Sequence, residues 1–300
     1  MKEVESRSFA ALGHRDFALL WSGQTVSSVG DGIFTVALVI EALSIDSSAT
    51  GLAYVLSARA VPSVLLSIVG GVVADRVPRR LSMLVSDAVR GLAVGAIAVL
   101  VGLNGLNLSE LIAMSVIFGS ADAFFGPASS SLLPEILPAD LIVQGNALSL
   151  ASSQFTQSLL GPAVGGLVVA AIGRAWSFGF DAISFAVSAA CLASMRTRVR
   201  PTQRGRSAVA DAREGYDYVR SRRWLLAQLL AAGAANFFGI APLAVLLPLL
   251  VRHGLHASAV SLGLVLAAGG GAGVIASLVV ARLGAPARRI TVMWTAYGLA

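Results

Sequence analysis

One cysteine in 300 residues, Cys191, leaves no disulfide framework and no thiolate metal site. The three histidines, His14, His253 and His256, fall outside the apolar runs and in no H-E-x-x-H setting, so a histidine metal centre has no candidate. His253 and His256 share a short connection and read as solvated. No G-x-x-x-x-G-K-[ST] occurs, so the chain carries no P-loop for nucleotide hydrolysis. The many serines have no histidine to act as a base within the apolar runs, which argues against an intramembrane serine hydrolase. Charge is scarce as well, at 13% of residues, about half the usual share for a soluble domain. The start, MKEVESRSFAALGHRDF, lacks the short apolar core and small-residue cleavage site of a signal peptide.

What is present is apolar surface. Hydrophobic residues make up 56% of the chain and the mean hydropathy is +0.80, the composition of a polytopic, all-α membrane protein. Glycine, at 31 residues, suits close helix packing in lipid. The net charge of +6 does not point to nucleic acid, because the arginines stand between apolar segments as orientation signals do.

A span needs about 20 mostly apolar residues. Runs of that kind predict helices over Phe17–Leu43, Thr50–Ala74, Leu81–Leu103, Glu110–Ser131, Asn146–Ile172, Trp176–Met195, Trp224–Val251 and Ala257–Leu283. A ninth run opens at Ile290 and reaches Ala300; its eleven residues would rise only about 16 Å as a helix, so the chain is expected to be incomplete. The expected organisation is a polar N-terminus (1–16), a six-helix bundle (17–195), a basic linker (196–223) and the start of a second bundle (224–300). Part of the linker, SAVADAREGYDYVRSRRW, is expected to lie as an amphipathic helix on the membrane surface.

With the N-terminus placed in the cytoplasm, Lys2, Arg7, Arg15, Arg76, Arg79, Arg80, the arginines of the linker, Arg282, Arg288 and Arg289 all fall inside, and only Arg174 and Arg252 fall outside. The rule holds in sum and not loop by loop: the inside connection PEILPADLIVQG has no basic residue. A gapless internal match relates Ser48–Val69 to Ser258–Val279, including Ser48/Ser258, Leu52/Leu262, Leu56/Leu266 and Ser67/Ser277. It pairs the second helix with the eighth, and parallel repeats of six helices are a transporter architecture.

Charges inside a bilayer are costly and face the bundle interior. Asp31, flanked by Gly30 and Gly32, Arg59 and Asp122 all fall near the midplane, where carriers bind substrate and protons. Either Asp31 or Asp122 is a candidate proton carrier, because separating a carboxylate from an arginine changes its protonation. The competing expectation is a permanent ion pair with Arg59. Asp87 and Arg90, three apart on one face of the third helix, read first as a structural pair serving the adjacent basic loop. Asp181, near the outer end of the sixth helix, reads equally as a water-facing gate residue or a helix-end charge.

The stretch GGVVADRVPRRLSML resembles the loop between helices two and three of the major facilitator superfamily, whose pattern is G-x-x-x-D-R-x-G-R-R/K. Gly71, Asp75, Arg76, Arg79 and Arg80 match, and Pro78 stands in place of the second glycine. LLWSGQTVSSVGDGIFTVAL, FFGPASSSLLPEILP and GNALSLASS resemble the bacterial branch of enterobactin-exporter-like and macrolide-efflux-like carriers. LLGPAVGG resembles the fifth-helix motif of drug–proton antiporters at Gly161, Pro162, Gly165 and Gly166, with Gln157 where that motif has a further glycine. The fourth helix lacks the arginine of many proton antiporters and offers Asp122 instead.

The resemblance implies a twelve-helix carrier of the bacterial inner membrane with a cytoplasmic N-terminus, working as a monomer. It would export a small amphipathic molecule such as a drug, macrolide or siderophore by alternating access. No cofactor is expected, only the proton gradient, and the partners are the substrate and the bilayer. Nutrient import on the same fold and a non-transporting membrane fragment are the other expectations. The loop motif would anchor the chain in the cytoplasm and latch the two halves. Gly71 would let the helix end pack closely, with Asp75 and Arg76 at the membrane edge. Arg79 and Arg80 would reach Asp87, or carboxylates and helix C-termini of neighbours. The fifth-helix motif would be a pivot or a leak-resistant seam, against the plainer expectation of ordinary helix packing.

Overall fold

A computed structural model describes the backbone of residues 10–196 and 217–283, with the side chains of 75 and 276–283 excepted. Residues 1–9, residues 197–216 of the basic linker with the first part of its expected surface helix, the Arg288-Arg289 loop and the run from Ile290 lie outside the described residues; residues 217–221 are helical.

Among the described residues all regular structure is helical. After a 3₁₀ turn at Ala10–Gly13 come α1 (Arg15–Ile45), α2 (Ala49–Arg76), α3 (Arg79–Gly102) and α4 (Leu108–Ile136). They are followed by α5 (Ile142–Ile172), α6 (Arg174–Ala193), α7 (Arg223–Gly254) and α8 (Ala259–Leu283). Seven of these, α1 to α7, are long and apolar enough to cross a membrane. Most helices extend a few residues past the apolar runs. Polar residues at the ends complete the last turns, which hydropathy alone does not count. In α4 the helix runs five residues beyond the expected Ser131 and contains both Pro127 and Pro134.

Several ends are capped by sequence-local bonds. Asn107 and Glu110 form a reciprocal capping box at the start of α4, each bond 3.0 Å. Ser48 Oγ accepts from Gly51 N (3.0 Å) at the start of α2, and Ser258 Oγ accepts from Ser261 N (3.2 Å) at the start of α8. These two serines are paired in the internal repeat, and the next apolar pair, Leu52 and Leu262, is fully buried in both copies. The repeat therefore recurs in capping and packing as well as in residue identity.

The first helix is the axis of the bundle. In its most apolar stretch 72% of residues are buried, against 11% in α2. It packs along α6 and α5. Where α1 crosses α5, Gly32 meets Gly161 so closely that a Cβ on either residue would lie 2.6 Å from the other's Cα. Asp31 sits in this continuous helix without local unwinding, so its flanking glycines serve close approach. At the expected cytoplasmic end of α2 the tightly packed glycine is Gly70, against the Ala123 carbonyl, and not Gly71, which has open space where a Cβ would stand.

The fifth helix changes winding within Gln154–Leu160, where Gly161 N bonds back five residues to Thr156 O. This π-helical stretch runs into Pro162. Proline has no N–H, which leaves the Ser158 carbonyl without its usual helical donor. The eighth helix covers that carbonyl at Gly270, and it also lies against Gly166 with Ala259, Val260 and Gly263.

Overpacking at the α1–α5 crossing should be costly, by about 1–3 kcal/mol. Gly161→Val is expected to lower the thermal unfolding temperature of the detergent-solubilised protein clearly. Gly71→Ala should leave it unchanged in the same fluorescence-detected melt.

Candidate transport cavity

The buried charge centres on Arg90. Its guanidinium bonds Asp87 Oδ1 at 2.5 Å on its own helix and Asp122 Oδ1 at 3.2 Å on α4. Asp122 Oδ2 in turn accepts from Ser63 Oγ on α2 at 3.2 Å. The guanidinium also lies over the rings of Phe125 (4.3 Å) and Phe185 (4.6 Å), which offer electron-rich faces to a desolvated cation. One arginine thus joins α2, α3, α4 and α6. Asp87 and Arg90 are almost wholly buried and are not engaged by Arg79 or Arg80. The expectation that they serve the basic loop is corrected: Arg90 is part of the interior. The signal was available, because Arg90 lies eleven residues into α3, about 16 Å along the helix, half the depth of a bilayer core.

Arg59 behaves differently from expectation. It forms no salt bridge with Asp31; its guanidinium lies over Phe34 (5.1 Å) and Phe118 (4.7 Å). Those rings stack at 5.0 Å and extend edge-to-face to Phe178 and Phe185. The aromatic cluster continues into an apolar core to which α1 to α6 and the facing ends of α7 and α8 contribute.

Next to the Arg90 cluster is a cavity of about 180 Å³. Its lining includes Asp31, Arg90 and Asp122 together with Trp21, Gln24, Thr25, Phe125, Ser149, Ser153 and Gln157. Its walls come from α1, α3, α4 and α5. Bonds between the walls hold it in shape: Gln24 Nε2 donates to Ser129 Oγ (2.6 Å) and Trp21 Nε1 to Ser152 Oγ (2.9 Å). Asp31 is buried, and its Oδ1 has no hydrogen-bond partner. Of the three residues expected to share a cavity, Asp31 and Asp122 line it and Arg59 does not. Asp181 is neither a gate residue nor a helix-end charge: it is fully buried beside Gly30 of α1. Sequence reasoning missed the neutral polar lining, since isolated Ser, Thr and Gln on apolar helices give no signal without knowing which faces converge.

Two of the three arginines of the loop motif, Arg79 and Arg80, bind inward. Arg79 bonds Ser131 O (2.9 Å) and forms an ion pair with Glu135 at the end of α4. Arg80 donates to Met195 O (2.9 Å) and Ala193 O (2.6 Å) at the end of α6, where the helix dipole favours a cation. These partners all belong to the first six helices. Arg76 is exposed, and the side chain of Asp75 lies outside the described residues. In α5, Gly161 and Gly165 face α1 while Gly166 faces α8, so the motif lies where helices of the two repeats meet.

Removing Arg90 would strand a buried carboxylate at Asp87, a loss of about 3–5 kcal/mol for a broken buried pair. Arg90→Ala is expected to abolish a monodisperse peak in size-exclusion chromatography. Asp122→Asn should be milder, because the Asp122 side chain is 43% exposed.

The comparisons with known proteins agree with this architecture. Residues 6–293 match a family model described as a transmembrane secretion effector. The chain is 27% identical over 227 residues to an uncharacterised MFS-type transporter, YfiS, of Bacillus subtilis, covering 73% of this chain and 52% of the relative. It is 28% identical over 209 residues to the multidrug efflux pump Tap of Mycobacterium tuberculosis, covering 67% and 50%. It is 27% identical over 237 residues to the enterobactin exporter EntS of Shigella boydii, covering 77% and 54%. The chain therefore spans about half the length of these curated relatives. With multiple apolar helices and a match over nearly its whole length, this chain is a multi-pass membrane protein that belongs to the transmembrane secretion effector family of the major facilitator superfamily.

Proposed function

We propose that the chain supplies the cavity-bearing helices of a secondary transporter that exports a small amphipathic molecule against inward proton movement. The observation that carries this reading is the polar cavity with the unpartnered Asp31 in its wall, backed by the Arg90 cluster. Trp21 and Phe125 offer aromatic surface, and the serines and glutamines offer hydrogen bonds, a combination that suits an amphipathic ligand. Asp31 is the residue assigned to proton uptake. Asp122, held by Arg90 and Ser63, is assigned to positioning the guanidinium.

The names of Tap and EntS support export, of drugs in one case and a siderophore in the other. The bacterial relatives and the arginine distribution support an inner-membrane location with the N-terminus in the cytoplasm. On that orientation the cavity lies in the cytoplasmic half, and the aromatic cluster and apolar core close the outer half. The protein would work as a monomer, by rocking of one helix bundle against the other around the cavity. No cofactor is required; the proton gradient supplies the energy.

The test is accumulation of a fluorescent dye, a macrolide and a catecholate siderophore in bacteria expressing the protein, with and without an uncoupler. Export is expected to fall to background with the uncoupler and in Asp31→Asn, while membrane insertion stays normal. Uncoupler-insensitive flux, or full efflux by Asp31→Asn, would overturn the proton-coupled reading. For the loop motif, Asp75→Asn is expected to slow transport while leaving the amount of inserted protein unchanged. Unaltered transport would leave the loop as an orientation anchor alone.

A further inference from the structure

The buried interior holds more carboxylates than cations. Asp31 on α1, Asp87 on α3 and Asp181 on α6 are buried, and the half-exposed Asp122 on α4 lies beside them; the guanidiniums near Asp31 and Asp181 are Arg59 on α2 and Arg90 on α3. Arg90 is committed to Asp87 and Asp122. Arg59 is committed to the rings of Phe34 and Phe118. Asp31 and Asp181 are left without an ion-pair partner.

These two carboxyls stand on either side of one short piece of backbone. Gly30, the residue before Asp31, abuts Asp181 Oδ1 and Ser184 Oγ so closely that no side chain fits there. Ser184 Oγ donates to Asp181 Oδ1 at 3.2 Å, but the same hydroxyl also lies 2.8 Å from the Asp181 backbone carbonyl. Asp181 Oδ2 has no hydrogen-bond partner, and neither has Asp31 Oδ1. Asp181 is 0% exposed. Two desolvated carboxylates at one helix crossing, each with an unbonded oxygen, repel one another, and ionising both at once is costly.

We propose that Asp31 and Asp181 form a paired carboxyl site that retains one proton at neutral pH. Asp181, buried behind the α1 backbone and not part of the cavity lining, holds this proton. Asp31 takes up a second one from the cavity it lines: a hydronium gives its proton to the Asp31 carboxylate and leaves water, and the pair passes from one negative charge to none. Asp181 is thereby assigned as a second proton-binding residue, one that ties the charge of the cavity wall to the α1–α6 contact. Its use in transport rests on the export reading above.

The experiment reads protonation rather than transport, so it is separable from that reading. The purified chain in lipid nanodiscs, with ¹³C-labelled aspartate, is titrated by infrared spectroscopy in H₂O and D₂O. A deuterium-sensitive C=O band of a protonated aspartic acid is expected in the wild type at neutral pH, and it should be lost in Asp181→Asn. In Asp31→Asn, a conservative change on the cavity wall, the pH at which the remaining band disappears should move by about one unit or more, as for coupled sites. That variant serves equally if Asp181→Asn fails to fold. Absence of the band from the wild type, its persistence in Asp181→Asn, or an unmoved transition in Asp31→Asn would each overturn the proposal. Loss of uncoupler-sensitive efflux with the band intact would overturn the export reading alone.

Discussion

The arrangement depends on one buried guanidinium. Arg90 could not sit at the depth of a bilayer core unless carboxylates and ring faces replaced the water it has lost. Asp87, Asp122, Phe125 and Phe185 do this, and in doing so they bring α3, α4 and α6 to one point, with α2 added through Ser63. In lipid there is no hydrophobic force to press apolar helices together, so polar pairs and close packing decide which faces meet. The same pairs leave Asp31 in the cavity wall and Asp181 buried behind it, neither of them ion-paired to Arg90.

Close packing supplies the other half of the organisation. The first helix is held at the centre because glycines let α5 and α6 approach its backbone. The fifth helix carries this role to its opposite face, where α8 meets Gly166 and the Ser158 carbonyl freed by Pro162. A polar group exposed to lipid would be expensive there. The proline, the π-helical stretch and the glycines of α8 thus form a single solution: the break in hydrogen bonding lies where another helix can cover it.

Much of this was legible in the residues. The approximate bounds of the described helices followed from apolar runs, since a helix must cover the bilayer core whatever its neighbours are. The family was legible in the spacing of Gly71, Asp75, Arg76, Arg79 and Arg80, and the depth of Asp31 and Asp122 in their distance from helix ends. The pairing of charges was not. Arg59 stands at a depth that suggests Asp31, yet its helix faces Phe34 and Phe118. Arg90 was assigned to the loop because its spacing from Asp87 shows only that the two share a face. Gly71 fits the motif, but Gly70 makes the contact, because one residue turns a helix by about 100° and so changes which neighbour is met.

By itself, then, the sequence determined that this chain is a multi-pass helical membrane protein, roughly where its described helices run, and that Asp31, Arg59 and Asp122 lie far from helix ends. Those are properties of single helices, set by hydropathy and rise per residue. Only the tertiary structure decided which charges are neighbours. It placed Arg90 between Asp87 and Asp122, set Arg59 on aromatic rings, and put Asp181 against the α1 backbone at Gly30, next to Asp31 in the chain. Partner choice depends on the rotation of each helix about its axis, and that rotation follows from how side chains on several helices pack at once.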